Sequence, residues 1–307
     1  MDKLIKKIIE MNNPSVVGLD PKLEYIPEHI KKDAFERCGS GFDGAAEAII
    51  NYNKGIIDAV CDIVPAIKPQ LAYYEMFSWQ GVRAYEQTIA YAQEKGMYVI
   101  ADGKRNDIGT TMEAYAIAHL GELDIQGTKY TPFGADSLTV NGYLGSDGIK
   151  PLLPICKEKD KSIFVLVKTS NPSSGELQNK NLDGKTVYAT MGDMCEEWGS
   201  ELRGEYGYSA VGAVVGATYP EQLKELRALL PHTFFLVPGY GAQGGGAEDV
   251  KGAFDANGLG AVINSSRAVL TAWKKEGCPG EEYAAAARRE AVRMRDEIVA
   301  AIPKMPK

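Results

Sequence analysis

Short apolar segments alternate with longer amphipathic segments along most of this chain, and the alternation predicts eight strand–helix units. The predicted strands are residues 16–20, 65–70, 98–102, 136–141, 162–168, 210–216, 234–238 and 261–264. Several of them are apolar on both faces, which is typical of parallel strands that are covered by helices. Eight such units in one chain favour a closed (β/α)8 TIM barrel over two doubly wound sheets.

Amphipathic patterns predict the helices between these strands and at both ends of the chain. They cover residues 1–13, 44–64, 78–95, 111–120, 186–203, 220–230 and 283–302. The helix at 220 follows Thr218-Tyr219-Pro220, a capping residue and then a proline, as at many helix starts. Segments 21–43 and 121–134 are longer than a barrel needs. No shift in composition divides the chain, so we expect one domain over residues 1–307.

Charge and targeting signals narrow the classes of partner. The chain has 34 basic and 41 acidic residues, a net charge of −7. This balance disfavours nucleic acid or an anionic membrane as the main partner, although a few local donors could still hold a phosphorylated small molecule. The first helix lacks the apolar core of a signal peptide, no apolar run reaches membrane-spanning length, and the five cysteines are scattered. We therefore expect a cytoplasmic protein with reduced thiols.

Polar residues stand at the ends of the predicted strands, where barrel enzymes place their active sites. Those residues are Asp20, Lys68, Asp102, Lys104, Ser170, Gln243 and Arg267.

The densest of these signals is segment 101–111. Strand alternation places Asp102 and Lys104 on one face, where they could form either a structural ion pair or a catalytic pair. Asp107 lies on the following turn and could simply cap the helix near Thr111. Lys68 adds a second inward lysine, so two lysines and two aspartates could form an alternating charge network.

The loops after the last two strands suggest a phosphate site. Segment 238–246 is rich in glycine, and Arg267 follows the eighth strand at a helix start. A glycine-rich loop alone is usually a flexible turn, but together with this arginine it favours phosphate binding. On spacing alone, Thr169–Pro172 could be a polar turn, and Asp20-Pro21 could merely end a strand.

The motif Asp102-x-Lys104-x-x-Asp107 resembles the orotidine 5′-monophosphate decarboxylase family, and Lys68, segment 169–172, segment 238–243 and segment 264–267 match it in order. The longer loops resemble the longer bacterial and archaeal branch of that family. The resemblance implies a (β/α)8 barrel that converts orotidine 5′-monophosphate to UMP and CO2, the last step of de novo UMP synthesis. It also implies that no cofactor and no metal take part.

The same resemblance assigns roles to individual residues. It makes Lys68, Asp102, Lys104 and Asp107 the catalytic charge network, within a homodimer whose subunits share their active sites. Asp107 and Thr111 would reach the neighbouring subunit's site, Ser170 the pyrimidine ring, Asp20 the ribose, and Gln243 the space between base and phosphate. The full set of substrate-binding residues that we predict is Asp20, Thr111, Ser170, Pro238, Gln243, Gly244 and Arg267.

Three other functions compete with this prediction. Keto-gulonate phosphate decarboxylases and hexulose phosphate synthases carry a similar motif but use Mg²⁺, and Lys68 stands where a further metal carboxylate would be wanted. A Schiff-base aldolase would need a neutral lysine, whereas a lysine beside carboxylates keeps its proton. A non-catalytic phosphometabolite-binding barrel would need only Gln243 and Arg267, and it would leave the other charges unexplained.

Overall fold

Eight parallel strands close into a barrel in the computed structural model, which describes residues 1–241 and 244–306. Each strand pairs with the next one along the chain, and β8 returns to β1, where Ser15 lies beside Ile263. The eight predicted strands and the TIM-barrel class are therefore confirmed. The strands are β1 Ser15–Leu19, β2 Ala66–Pro69, β3 Tyr98–Arg105, β4 Ser137–Val140, β5 Ser162–Lys168, β6 Val211–Val215, β7 Phe235–Val237 and β8 Ala261–Ser265.

The seven predicted helices are present, with ends that differ by a few residues from those predicted, and shorter helices lie between them. Short 3₁₀ turns lie at 23–25, 145–148, 150–152, 172–176, 251–253 and 280–282. The α-helices are Asp2–Met11, Glu28–Cys38, Phe42–Val60, Ala72–Glu75, Ser78–Glu94, Gly109–Leu120, Leu153–Glu158, Val187–Gly199, Pro220–Leu229, Ala247–Val250, Arg267–Leu270, Ala272–Glu276 and Tyr283–Ala301.

The long connections contain structure of their own. Segment 21–43 contains the helix Glu28–Cys38, and segment 121–134 contains a hairpin of Leu123–Ile125 with Thr128–Tyr130. A second hairpin pairs Asn181–Leu182 with Lys185–Thr186 after β5. The expected threonine cap before Pro220 is wrong, because Tyr219 occupies the N-cap without a side-chain bond and the Thr218 hydroxyl donates elsewhere.

The helix Asp2–Met11 closes the end of the barrel at which the strands begin. Its buried residues Leu4, Ile5 and Ile8 belong to an apolar cluster with inward side chains of the strands, Phe164 among them. Lys3 on the same helix forms an ion pair with the buried Asp136. This end is filled, whereas a concave opening lies at the carboxyl ends of the strands. Over residues 1–241 and 244–306, no helix is both long and apolar enough to cross a bilayer.

Candidate active site

A cavity of about 780 Å³ opens at the carboxyl ends of the strands. This volume is ample for a nucleotide-sized ligand, since small-molecule sites span about 300–1,000 Å³. Seven residues that the sequence singled out line it: Asp20, Lys68, Asp102, Lys104, Ser170, Pro238 and Arg267. Polar strand ends from separate parts of the sequence therefore converge on one opening.

The Asp102 carboxylate is the centre of the charged cluster. Its Oδ2 accepts hydrogen bonds from Lys68 Nζ at 2.6 Å and from Gln70 Nε2 at 2.9 Å. Its Oδ1 accepts from Lys104 Nζ at 2.6 Å and from Thr139 Oγ1 at 2.8 Å. Four donors thus hold one carboxylate, a geometry that fixes both its charge and its orientation.

Burial and charge act in opposite directions on this cluster. Lys68 and Asp102 are each only 5% exposed, and such burial by itself disfavours their charged forms. The ammonium groups of Lys68 and Lys104 nevertheless hold the pKa of Asp102 well below its usual value. For Lys68, the negative charges of Asp102 and Asp20 outweigh burial and raise the pKa. The pair is therefore ionised at neutral pH.

Lys104 reaches Asp102 by an unusual backbone path. Strand alternation predicted the shared face, but the pairing of β3 with β4 is irregular between Ala101 and Arg105, and Lys104 has a φ of 47°. A non-glycine residue in this left-handed region is uncommon and often marks a functional site. The Lys104 side chain is 44% exposed, so one ammonium faces the cavity while that of Lys68 is buried beneath it.

Ser170 is held at the cavity by close contact between the ends of β5 and β6. Thr218 Oγ1 donates to the Ser170 carbonyl at 3.1 Å, and the Gly216 amide donates to the Lys168 carbonyl at 2.7 Å. A β-carbon at Gly216 would lie 2.8 Å from both Cα and Cβ of Ser170. Only a glycine permits this approach.

The start of the glycine-rich segment, Pro238 and Gly239, lines the same cavity. Gly239 and Gly244 have φ angles of 99° and 96°, a conformation that favours glycine. Pro238 and Arg267 line the cavity, whereas the exposed Gly244 is absent from the described lining. Gln243, predicted to lie between base and phosphate, is outside the described residues.

Asp20, the residue directly after β1, lines the same cavity. Its Oδ1 is buried and has no hydrogen-bond partner within the described part of the chain. A buried carboxylate oxygen without a donor is costly unless a ligand or water satisfies it. Asp20 is therefore suited to bind a hydroxyl group.

Asp107 and Thr111 do not line the cavity of their own chain, as far as the described lining goes. Asp107 Oδ1 accepts a hydrogen bond from the Ile108 amide at 2.8 Å, and the helix begins only at Gly109. The alternative interpretation of Asp107 as a cap near Thr111 is thus not supported, because its bond is made before the helix.

The sequence analysis gave no role to several polar residues that line the cavity, among them Gln70, Thr139, Gln178 and Asn264. Gln70 and Thr139 had a usable signal. Gln70 lies two residues beyond Lys68, and Thr139 is a polar residue within the apolar strand β4, so alternation directs both inward.

Metal binding is not indicated by this arrangement. Within residues 1–241 and 244–306, no three histidine, cysteine or acidic side chains are grouped so that they could hold an ion. The Asp102 carboxylate is already surrounded by donors, two of them cationic, which makes it a poor ligand for Mg²⁺.

Comparison with known proteins agrees with the geometry. Residues 17–277 match the model of the orotidine 5′-phosphate decarboxylase / HUMPS family. An orotidine 5′-phosphate decarboxylase of Rhodopirellula baltica is 46% identical over 269 residues, which is 88% of this chain and 87% of that one. One of Clostridium perfringens strain SM101 is 42% identical over 99% of both chains. The structure of Leishmania donovani OMP decarboxylase superposes with a TM-score of 0.73 at 28% identity, over 98% of this chain and 97% of that one. The chain therefore belongs to the orotidine 5′-phosphate decarboxylase / HUMPS family.

Proposed function

We propose that this chain decarboxylates orotidine 5′-monophosphate to UMP and CO2, the final step in making UMP. The observation that carries the proposal is the Asp102 carboxylate, buried and held between the two ammonium groups of Lys68 and Lys104 at the cavity. The curated relatives that carry this activity in their names cover nearly the whole chain. Both lines of support favour a decarboxylase over a passive binding barrel.

The chemistry requires electrostatic help at one ring carbon. When the bond between C6 and the carboxylate carbon breaks, the electron pair stays on C6 in the ring plane, where the π system cannot delocalise it. The exposed ammonium of Lys104 stabilises this carbanion and then donates a proton to C6. Asp102 stands beside the departing carboxylate and disfavours the ground state more than the transition state, because that negative charge leaves with CO2.

The rest of the cavity orients the substrate. In this proposal Ser170 contacts the pyrimidine, and the unsatisfied oxygen of Asp20 accepts a ribose hydroxyl. Arg267 and the glycine-rich segment from Pro238 hold the phosphate. Binding energy from this remote end positions C6 against Lys104 and needs no cofactor.

The proposal includes a homodimer with shared active sites. Asp107 and Thr111 lie outside the cavity of their own subunit but directly beyond β3. The turn around Gly148 packs against Asp107, so the loops after β3 and β4 form one surface. Several large apolar side chains are exposed on or beside it, as expected of a surface that a second subunit covers: Met76, Ile108, Tyr143 and Leu144.

Ultraviolet absorbance of orotidine 5′-monophosphate mixed with the purified protein tests the activity directly. We expect the absorbance change of UMP formation, undiminished after dialysis against EDTA, and none with Lys104→Ala. The family also includes sugar-phosphate enzymes. No reaction with orotidylate, together with Mg²⁺-dependent turnover of a keto-acid or hexulose phosphate, would replace the proposal with that chemistry.

A further inference from the structure

Lys168, the last residue of β5, buries an ammonium group that the proposed reaction does not use. Its exposed fraction is 0%, and within residues 1–241 and 244–306 its ammonium donates a hydrogen bond to a hydroxyl and forms no ion pair with a carboxylate. Burial lowers the pKa of Lys168. Burying a cation without a counter-ion costs free energy, so other contacts must stabilise this ammonium.

Two contacts satisfy this ammonium, and both come from loops at the cavity. Lys168 Nζ donates to Ser174 Oγ at 2.8 Å and lies 4.1 Å from the centroid of the Tyr219 ring. At that distance the ring face attracts the cation strongly once water is excluded. Ser174 belongs to the segment after β5, and Tyr219 to the connection after β6. The lysine therefore ties two loops together.

Further hydrogen bonds continue this connection toward the cavity. Ser174 Oγ donates to the Tyr219 hydroxyl at 3.3 Å, and that hydroxyl donates to the Asn171 carbonyl at 3.2 Å. On the other side of the turn, Gln178 accepts from the Thr169 amide at 2.9 Å and donates to Thr169 Oγ1 at 2.7 Å. Ser170 lies between these two sets of bonds, so its place at the cavity depends on both.

We infer that Lys168 and Tyr219 form a buried cation–π clamp that positions Ser170 and Gln178 at the base-binding end of the cavity. The inference rests on the proposed function, because it takes Ser170 to contact the pyrimidine. Lys168 is a positioning residue: it does not line the cavity, and it acts through the loop that follows it. Arg267, at the opposite end of the cavity, follows β8, whereas the clamp joins the segments after β5 and β6.

Two ligands separate this role from a general loss of structure. UMP presents base, ribose and phosphate, whereas ribose 5-phosphate lacks the base. Lys168→Met keeps the apolar stem and removes the charge. Lys185→Met is its matched control, because Lys185 is a half-exposed lysine in the hairpin after β5 and pairs with Asp193. We expect Lys168→Met to weaken UMP binding by at least about tenfold and to leave ribose 5-phosphate binding unchanged. Lys185→Met should change neither.

Steady-state kinetics and substitutions of Tyr219 give a second, independent test of the clamp. We expect Lys168→Met to raise KM for orotidylate more than it lowers kcat. Tyr219→Phe keeps the ring but loses the hydroxyl's hydrogen bonds, so it should weaken UMP binding less than Tyr219→Leu, which removes the ring and should match Lys168→Met. If Lys168→Met does not fold, this tyrosine pair decides. Equal effects of Phe and Leu, or equal weakening of both ligands by Lys168→Met, would overturn the clamp.

Hydrogen exchange keeps this inference separate from the proposed function. In the ligand-free protein, Lys168→Met should accelerate amide exchange in peptides covering residues 169–180, while Lys185→Met leaves those peptides unchanged. A wild-type protein that binds UMP but leaves orotidylate intact would overturn the decarboxylase and not the clamp. Unchanged exchange in Lys168→Met would overturn the clamp whatever the activity.

Discussion

Gly216→Ala should damage the active site by adding a single methyl group outside the cavity. Gly216 follows β6, and its φ is not in the left-handed region, so alanine is allowed by its backbone. The obstacle is space, because the new carbon would lie 2.8 Å from Cα and Cβ of Ser170 and 2.9 Å from its amide nitrogen. None of these atoms can rotate away.

The size of the effect follows from that distance. Ordinary van der Waals contact begins at about 3.4 Å, so the two strand ends must separate by about 0.6 Å. Overpacking of this kind costs about 1–3 kcal/mol. Because the displaced residue lies in the proposed base site, we expect kcat/KM for orotidylate to fall between about tenfold and a hundredfold.

Steady-state kinetics and thermal unfolding of Gly216→Ala beside Gly41→Ala check this expectation. The control makes the same chemical change at a glycine whose added carbon would meet nothing within 4 Å. Gly41→Ala should keep wild-type kcat/KM. If both variants fold and show the same kcat/KM, the close packing of β6 against Ser170 does not affect catalysis and the reasoning is refuted.

Three further predictions concern the charged cluster and its surroundings. Lys104→Ala should abolish decarboxylation with the fold intact, whereas Arg267→Ala should mainly raise KM. Steady-state kinetics on orotidylate test both, and an active Lys104→Ala together with a neutral Arg267→Ala would contradict the assignment. Mixing Lys104→Ala with Asp107→Ala subunits should restore about a quarter of wild-type activity, since half the dimers are mixed and each mixed dimer has one intact site of its two. Proven subunit exchange without recovery of activity would exclude a shared site. Asp102→Asn should lower the unfolding free energy by about 3–5 kcal/mol, because it leaves the buried Lys68 without its ion pair. The folded-state pKa of Asp102 is depressed, so this difference should be complete above its ordinary value of 3.8 and shrink as pH falls below it; denaturant unfolding at a series of pH values measures it, and a difference that persists at the lowest pH would contradict the assignment.

The barrel could be predicted because its pattern is local and repeated. Eight apolar segments of strand length, each followed by an amphipathic one, leave few ways to bury all the apolar faces. The helix start at Arg267 was predicted, but the short helix Ala247–Val250 was not, because four residues are too few to show a helical period.

The site was predictable where a charged side chain stood at a strand end, and less so elsewhere. Asp102 and Lys104 were placed together correctly, but the left-handed turn at Lys104 that brings them into contact has no counterpart in the alternation rule. Lys168 was taken as part of a strand only. Its partner Tyr219 lies about 50 residues away in sequence, and no local pattern indicates a contact of that kind.

Ring closure has a consequence for the order in which this molecule can assemble during synthesis. The donors to Asp102 come from β2, β3, β4 and the residue just beyond β2, so a ribosome has made every one of them by about residue 140. One edge of β1 can pair with β2 early, but its other edge must wait for β8, because Ser15 pairs with Ile263 almost 250 residues later. Contacts between such distant segments form slowly, and a nascent half-barrel exposes unpaired strand edges until they do. The residues of the charged cluster are therefore synthesised long before the strands that close the barrel around the substrate.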